Sequence, residues 1–367
     1  MPLRFHWSLS RVGDNLRAAR PTADQVGLLS FGAQADFCIR AEACEIDSVL
    51  MAFGFTRPDP FVLSMALGMR TKKLKFMIAV RSGVISPTLF VQQINTISSL
   101  TNGRVTINMV TGHIPAELGY YGDFLSHDER YARTDEFLTI CRAFWSREGP
   151  VNFSGKYYRV DNGKLNIPFI SDETTAPQIY LGGNSQLADE MAIKHADCLW
   201  RFPDLPEKLH PRIQPMIDQG KEVGLLVSLI ARPTREQAIR DADLLLQTVG
   251  AKSKEFQKEV LRTCDSVGVK KNFKLAESNE SEWLTPYLWV GAIPYLGAPA
   301  IALVGSSEEV ASAILGYKEI GISQFLFMGW PDLDEMDNFS KEVLPLIRES
   351  ERQTEGKTQT DSLRRIS

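Results

Sequence analysis

The chain has 367 residues, of which 44% are hydrophobic and 23% charged, and its formal net charge at pH 7 is −4. This composition is typical of a globular protein with a sizeable core, and the acidic balance gives no basic field to attract nucleic acid or an anionic membrane. No apolar run approaches the roughly 18 residues of a membrane span, and the N-terminus lacks the apolar core of a signal peptide. The 5 cysteines form no CxxC pair and the 5 histidines no HxxxH group, which predicts reduced thiols, no metal site and a cytoplasmic protein.

Short apolar runs alternate with longer amphipathic segments along the chain, which predicts β–α units around a parallel sheet. The predicted strands, in chain order, are residues 3–7, 46–51, 75–80, 105–110, 178–181, 197–199, 225–231 and 324–328. The predicted helices are about 28–43, 61–67, one starting at 86–87, one within 126–145, then 186–195, 209–223, 235–249, a region from 304 and 334–347. This count predicts an α/β domain over residues 1–350, a single (β/α)8 TIM barrel. Residues 351–367 are polar and are expected to form a disordered tail.

Two segments do not fit the strand–helix alternation and are predicted to be insertions in the barrel. Residues 151–170 contain two alternating runs around Asp161-Asn162-Gly163, which predicts a β-hairpin. Residues 250–285 are charged and lack a clear strand. They are expected to form a mobile helical excursion that acts as a lid over the barrel.

Polar residues near the carboxyl ends of the predicted strands are the first candidates for a site, because barrel active sites lie there. Asn108 near the end of the fourth strand either bonds within the core or reaches a polar ligand. His127 and Tyr131 lie one turn apart at the start of a helix, where both could face a phosphate; the alternative is a helix cap with a surface ion pair. The turn at 182–185 offers amides and a hydroxyl to a phosphate, or is an ordinary connector.

Six motifs in consistent order and spacing resemble the flavin-dependent luciferase-like monooxygenases, and most closely the FMNH₂-dependent alkanesulfonate monooxygenases. They are LKFMIAVRSGVISP (74–87), INMVTG (107–112) followed by Glu117, FLSHDERY (124–131), LGGNS (181–185), ALVG (302–305) and FLFMGWP (325–331).

The resemblance implies that reduced FMN lies across the barrel mouth and that O₂ is the co-substrate. The implied flavin-binding residues are Ala79 and Arg81 beneath the ring, Asn108, Thr111 and Gly112 beside it, and His127, Tyr131, Gly183 and Ser185 around the phosphate. The implied reaction is oxygenation of a small organic substrate through a flavin C4a-peroxide, with a separate NAD(P)H-dependent flavin reductase as partner. The family is usually a homodimer or homotetramer, and the same assembly is expected here.

The chain departs from the alkanesulfonate enzymes at four catalytic positions. Their cysteine after strand two corresponds to Arg57, their Arg-x-His pair to residues 226–228, their arginine before ALVG to 295–297, and their tyrosine after strand eight to Trp330. Each lost charge-assisted contact is worth roughly 1.5–3 kcal/mol. The departures therefore favour a specialised, less anionic substrate over a simple alkanesulfonate.

The catalytic candidates are His6 and His113 as a general base, together with Arg57 and Trp330 at the divergent positions. Each histidine has a structural or ligand-orienting role as its alternative. Three other functions stay open: an alkanesulfonate monooxygenase proper, a deazaflavin F420-dependent oxidoreductase that transfers hydride, and a non-catalytic flavin-binding protein.

Overall fold

The computed structural model describes residues 1–9, 30–55, 57–278, 281–330 and 332–364, with side chains as far as Thr354. Its strands are β1 (Arg4–Ser8), β2 (Ser48–Met51), β3 (Lys75–Val80), β4 (Val105–Met109), β5 (Val151–Ser154), β6 (Arg159–Gly163), β7 (Ile179–Gly182), β8 (Cys198–Arg201), β9 (Glu222–Arg232), β10 (Leu288–Trp289), β11 (Ala302–Ser306) and β12 (Ile322–Gly329). Its helices are α1 (Phe31–Ala43), α2 (Pro60–Gly68), α3 (Pro87–Thr101), α4 (Pro115–Tyr120), α5 (His127–Ser146), α6 (Gln186–His195), α7 (Pro206–Asp218), α8 (Arg235–Thr263), α9 (Val267–Ser278), α10 (Ile293–Leu296), α11 (Ser307–Glu319), α12 (Asp332–Asn338) and α13 (Leu344–Arg364). A π-helical turn, Phe339–Val343, joins α12 to α13.

Eight parallel strands close into a barrel, which confirms the predicted TIM-barrel fold. Their order around the barrel is β1-β2-β3-β4-β7-β8-β9-β12, and β12 pairs with β1. The register places Ala79 beside Asn108 and Asn108 beside Tyr180 across three neighbouring strands. In the described part of the chain, no helix is both long and apolar enough to cross a membrane.

The amino-terminal end of the barrel interior is filled by a network of polar side chains around His6. The imidazole is 2% exposed. Its Nδ1 lies 2.7 Å from Ser48 Oγ and its Nε2 lies 2.8 Å from Gln324 Oε1. The Gln324 amide donates to Glu222 at 2.7 Å, and Glu222 also forms an ion pair with Arg4. Burial lowers the pKa of His6 to about 3, so this end of the barrel holds a neutral imidazole with both nitrogens bonded.

Large side chains fill the next layer of the barrel interior. The Tyr180 and Trp200 rings stack at 5.2 Å, and the His6 ring meets Trp200 edge-on at 5.6 Å. A Cβ at Gly224 would lie 2.2 Å from the Trp200 ring, so the indole rests directly on the β9 backbone. This packing gives the barrel a rigid centre beneath its carboxyl-terminal mouth.

Serine caps fix the helices that start at this mouth. Ser126 and Glu129 form a reciprocal capping box at the start of α5, and the Ser185 hydroxyl accepts the Ala188 N–H at the start of α6. The two helices start where the sequence predicts helix starts, so each serine stands directly before its helix.

The insertion at 151–170 forms the predicted hairpin from β5 and β6, but the predicted turn is wrong. The chain reverses at 155–158, where Gly155 N–H donates to the Tyr158 carbonyl, while Asp161-Asn162-Gly163 lies within β6. The Glu136 carboxylate stabilises the turn at 155–158, because it accepts the N–H groups of Lys156, Tyr157 and Tyr158 at 2.7, 2.8 and 3.0 Å.

The excursion predicted at 250–285 is helical up to 278 except for a break at 264–266. Helix α8 continues beyond the predicted end at 249, with a kink at Gly250 (φ 68°), and α9 follows. Two short strands, β10 and β11, come next, so the prediction that a helix region begins at Val304 is wrong. Strand β11 pairs in parallel with the carboxyl-terminal half of β9. We call residues 251–278 the lid segment.

The predicted disordered tail is instead helical as far as Arg364, because α13 continues through it. Glu351 in this helix is 5% exposed and accepts the Leu3 N–H at 2.7 Å. It also forms ion pairs with Lys318 at 2.6 Å and Arg348 at 2.7 Å. The helix is therefore attached to the first strand of the barrel at residue 351, where the sequence predicts the end of the domain.

Candidate functional site

A cavity of about 120 Å³ opens at the carboxyl-terminal mouth of the barrel. Four segments form it: the loop after β4, the start of α5, the loop from β7 to α6, and the start of α9. Its lining residues are Val110, Thr111, Gly112, His113, His127, Tyr131, Gly182, Gly183, Asn184, Ser185, Ser266, Val267 and Gly268. The volume is several times the roughly 30 Å³ that one water occupies in the liquid, which leaves room for a small polyatomic group.

The wall of the cavity on α5 presents two side chains with free polar atoms. The rings of His127 and Tyr131 lie 5.0 Å apart, one helical turn from each other. His127 Nδ1 lies 2.8 Å from Asp128 Oδ1. Its Nε2 and the Tyr131 hydroxyl have no hydrogen-bond partner among the residues that the structure describes. The Tyr131 hydroxyl can donate to an acceptor in the cavity, and His127 Nε2 can do so in the imidazolium form, because the Nδ1 proton faces the Asp128 carboxylate.

The loop between β7 and α6 forms the opposite wall, and buried Arg201 supports it. Its guanidinium donates to the Gly183 carbonyl at 2.6 Å and also bonds the Asp189 carboxylate. Burial lowers the pKa of Arg201, and Asp189 opposes this shift. A Cβ at Gly183 would lie 2.3 Å from Ala188 Cβ, so only glycine lets this loop lie against the first turn of α6.

A second arginine lies behind the same loop. Arg212 of α7 donates to the Asn184 side-chain oxygen at 3.4 Å. It adds positive charge near the cavity and was not predicted as a site residue, because its role depends on how α7 packs beside the loop.

The loop after β4 brings the predicted flavin-side residues to the third wall. Gly112 has a φ of 80°, and a Cβ there would lie 2.6 Å from Leu118, so the turn requires glycine. Thr111 and His113 flank this glycine, and His113 is exposed. Asn108, four residues before Gly112 in β4, is buried, and its Oδ1 has no hydrogen-bond partner within the described chain. A buried unpaired amide oxygen is costly, and a donor on a bound molecule would satisfy it.

Arg81, directly after β3, is buried between one carboxylate and two aromatic rings. Its Nη2 donates to Glu117 Oε1 at 2.9 Å. Its guanidinium carbon lies 5.1 Å from the centre of the Phe53 ring and 5.8 Å from that of Tyr121. Nε and Nη1 are buried and have no hydrogen-bond partner in the described part of the chain. Glu117 neutralises the cation, and the two rings hold it in place.

These observations fit a flavin nucleotide. The cavity joins the free Tyr131 hydroxyl and the His127 imidazole to the start of two helices, α5 and α6, and helix starts favour anions. The unpaired amide oxygen of Asn108 suits a ring N–H group. In contrast, no three His, Cys, Asp or Glu side chains of the described residues are grouped so that they could hold a metal ion.

A family model described as luciferase-like monooxygenase matches residues 5–324. The chain belongs to this family. The resemblance read from the sequence motifs is thereby confirmed, and so is the prediction of a flavin-dependent monooxygenase at the level of the family.

Solved structures share the fold of this luciferase-like chain at low sequence identity. Riboflavin lyase, solved with modified FMN and riboflavin, aligns with a TM-score of 0.75 at 18% identity over 95% of this chain and 92% of its own. EDTA monooxygenase from Chelativorans sp. BNC1 aligns with a TM-score of 0.74 at 18% identity over 95% and 94%. An F420-dependent secondary alcohol dehydrogenase aligns with a TM-score of 0.65 at 19% identity over 95% and 99%. These likenesses establish the barrel architecture that the family shares.

Seven of the predicted site residues line this cavity. They are Thr111, Gly112, His113, His127, Tyr131, Gly183 and Ser185. Ala79, Arg81 and Asn108 lie on the two adjoining strands β3 and β4 or directly after them.

Three predicted catalytic residues do not line this cavity. His6 belongs to the polar network at the opposite end of the barrel, where both ring nitrogens are bonded, so its assignment as a base loses its physical support. Arg57 lies in the loop after β2 and donates to the Leu9 carbonyl at 3.4 Å. Trp330 packs in a hydrophobic cluster with Trp289 and Val304, and its buried Nε1 has no partner among the described residues.

Proposed function

We propose that this chain is the oxygenase component of a two-component, FMNH₂-dependent monooxygenase. The observation that carries the proposal is the cavity in which His127, Tyr131, Gly183 and Ser185 meet, because its hydroxyl groups and helix starts suit a phosphate. A separate NAD(P)H-dependent reductase would supply reduced FMN, and we propose a homodimer or homotetramer as the assembly.

Each wall of the site would have a distinct role when the flavin is bound. His127, Tyr131 and Ser185 would hold the phosphate, while Asn108 and Ala79 would contact the ring, since they lie side by side on β4 and β3. Reduced FMN would supply two electrons to O₂, so that one oxygen atom enters an organic substrate and the other leaves as water. The protein would position the substrate and exclude water, and it needs no general base for that task.

The divergent positions support a less anionic substrate than an alkanesulfonate. Ser228, in place of an ionisable group, is fully buried, and its hydroxyl donates to the Pro299 carbonyl at 3.1 Å. Trp330 is buried among hydrophobic side chains. Arg81, beside the Phe53 and Tyr121 rings, already forms an ion pair with Glu117. We therefore propose a specialised organic substrate for this site.

Hydride transfer with a deazaflavin is the second candidate, since an F420-dependent dehydrogenase shares the barrel. Equilibrium binding of FMN, riboflavin and F420 to the purified chain, followed by flavin fluorescence or absorbance, separates the two. We expect FMN to bind more tightly than riboflavin, and reduced FMN mixed with O₂ in a stopped flow to be reoxidised on the protein with uptake of O₂. Binding of F420 but not of FMN would reject the monooxygenase in favour of hydride transfer. Binding of FMN without any oxygen-dependent product from a broad substrate panel would support a flavin-binding protein instead.

A further inference from the structure

Arg130 joins three segments that meet at the cavity, although it does not line the cavity itself. It lies in the first turns of α5 and is 2% exposed. Its Nε donates to the Thr111 carbonyl at 3.0 Å and its Nη1 to the Leu125 carbonyl at 2.9 Å. Its Nη2 donates to Asp265 Oδ2 of the lid segment at 2.6 Å. One planar guanidinium therefore forms hydrogen bonds to three segments: the loop after β4, the residues just before α5 and the lid segment.

The lid segment contacts the cavity directly beside this arginine. Asp265 N–H donates to the His113 carbonyl at 3.1 Å. The next three residues, Ser266–Gly268, line the cavity. A Cβ at Gly268 would lie 2.6 Å from Asn184 Nδ2, so the start of α9 packs against the loop that forms the opposite wall. Docking of the lid and the shape of the cavity consequently depend on each other.

The two partners of the ion pair between Arg130 and Asp265 differ in their exposure to solvent. The Arg130 side chain is 3% exposed, whereas the Asp265 side chain is 28% exposed. A buried guanidinium that loses its carboxylate partner keeps its charge without compensation, which is costly. Two polar contacts of α9 involve residues outside the cavity lining: Lys271 with Asp204 at 2.8 Å and Asn272 with the Ala298 carbonyl at 3.0 Å. The ion pair between Asp265 and Arg130, in contrast, joins the lid segment to the helix that forms a wall of the cavity.

We propose that Arg130 is a positioning residue that couples docking of the lid segment, through Asp265, to occupation of the cavity by the phosphate of FMN. This inference rests on the proposed function. A bound phosphate contacts both the α5 wall and the wall formed by the lid, so it favours the docked lid. By reciprocity, a docked lid raises the affinity for the phosphate. Riboflavin lacks the phosphate and is outside this coupling.

The test compares FMN with riboflavin on the full chain and on Asp265→Asn, which keeps the side-chain size and removes the charge. We expect Asp265→Asn to weaken FMN binding roughly five- to tenfold, within the usual range of coupling between sites, and to leave riboflavin binding unchanged. FMN should also protect the lid segment of the natural chain from trypsin, and this protection should be lost in the variant. Glu259→Gln is the matched control, because Glu259 lies on the same excursion in an exposed ion pair with Arg262 at 2.7 Å.

A second variant keeps the test decisive. Arg130→Lys retains the charge but cannot reach all three acceptors, so it should lose the preference for FMN as Asp265→Asn does. If Asp265→Asn weakens FMN and riboflavin equally, or if FMN protects the lid equally in both chains, Arg130 has only a structural role and the proposal is overturned. If the natural chain binds neither flavin, the proposed function itself fails, which is a different result from the first.

Discussion

Replacing Tyr131 by phenylalanine tests the phosphate site without disturbing the fold. The ring is 6% exposed and packs against His127, so the variant keeps its packing. The hydroxyl has no partner among the described residues, so its removal breaks no bond within that part of the protein. A hydrogen bond to a charged group contributes about 1.5–3 kcal/mol, which corresponds to roughly a 10- to 150-fold loss of affinity. Tyr131→Phe should therefore weaken FMN binding by that factor and leave the melting temperature unchanged.

The assay is a titration of the protein with FMN and, separately, riboflavin, followed by quenching of flavin fluorescence. Tyr158→Phe is the matched control, because the Tyr158 hydroxyl bonds the Ser82 carbonyl inside the protein. The control should lower the melting temperature and leave FMN affinity intact, which is the opposite pattern. Unchanged FMN affinity in Tyr131→Phe, or an equal loss for riboflavin, would refute the assignment of Tyr131 to a phosphate.

Three further outcomes follow from the geometry. Because burial lowers the pKa of His6 to about 3, the contribution of His6 to the free energy of unfolding should be fully present above pH ~6.5 and fall by about 1.4 kcal/mol per pH unit from there down to pH ~3; the difference in urea unfolding between the natural chain and His6→Gln should follow this slope. Gly183→Ala, with its Cβ 2.3 Å from Ala188 Cβ, should weaken FMN binding more than tenfold (about 1.4 kcal/mol), whereas Gly316→Ala on α11, outside the cavity lining and with nothing within 4 Å of its Cβ, should not. Glu136→Gln should cost about 1.5–3 kcal/mol of stability and speed amide exchange in the hairpin turn, since its carboxylate accepts three N–H groups there.

Much of the fold could be predicted from the sequence because its signals are local. The predicted third strand has the bounds of β3, Lys75–Val80, since both faces of a parallel strand are buried and the apolar run is continuous. The start of α6 after Ser185 was also predicted, because the cap and the helix are adjacent in sequence. The loops that carry the proposed phosphate-binding residues connect strands and helices that these two kinds of signal predict.

The features that the sequence did not predict depend on partners far along the chain. The hairpin turn is held by Glu136, 20 residues before the first N–H that it accepts. Arg130 has its role only because Asp265, 135 positions later, folds back onto it. His6 was predicted near the mouth of the barrel. The register instead pairs it with Ser48 and Leu326 and places its ring beside Gln324, at the opposite end.

The buried arginines at the mouth of the barrel are already paired with carboxylates. Arg130 and Arg201, behind the walls of the cavity, pair with Asp265 and Asp189, while Arg212 donates to the Asn184 side chain. Beside the strands proposed to contact the flavin ring, buried Arg81 is neutralised by Glu117 and lies against the Phe53 and Tyr121 rings. An anionic substrate would have to compete with Glu117 for that guanidinium in a buried site, where a displaced carboxylate is costly. Under the proposed function, selection of the substrate by shape and apolar contact would therefore cost less free energy than recognition of an anion at this position.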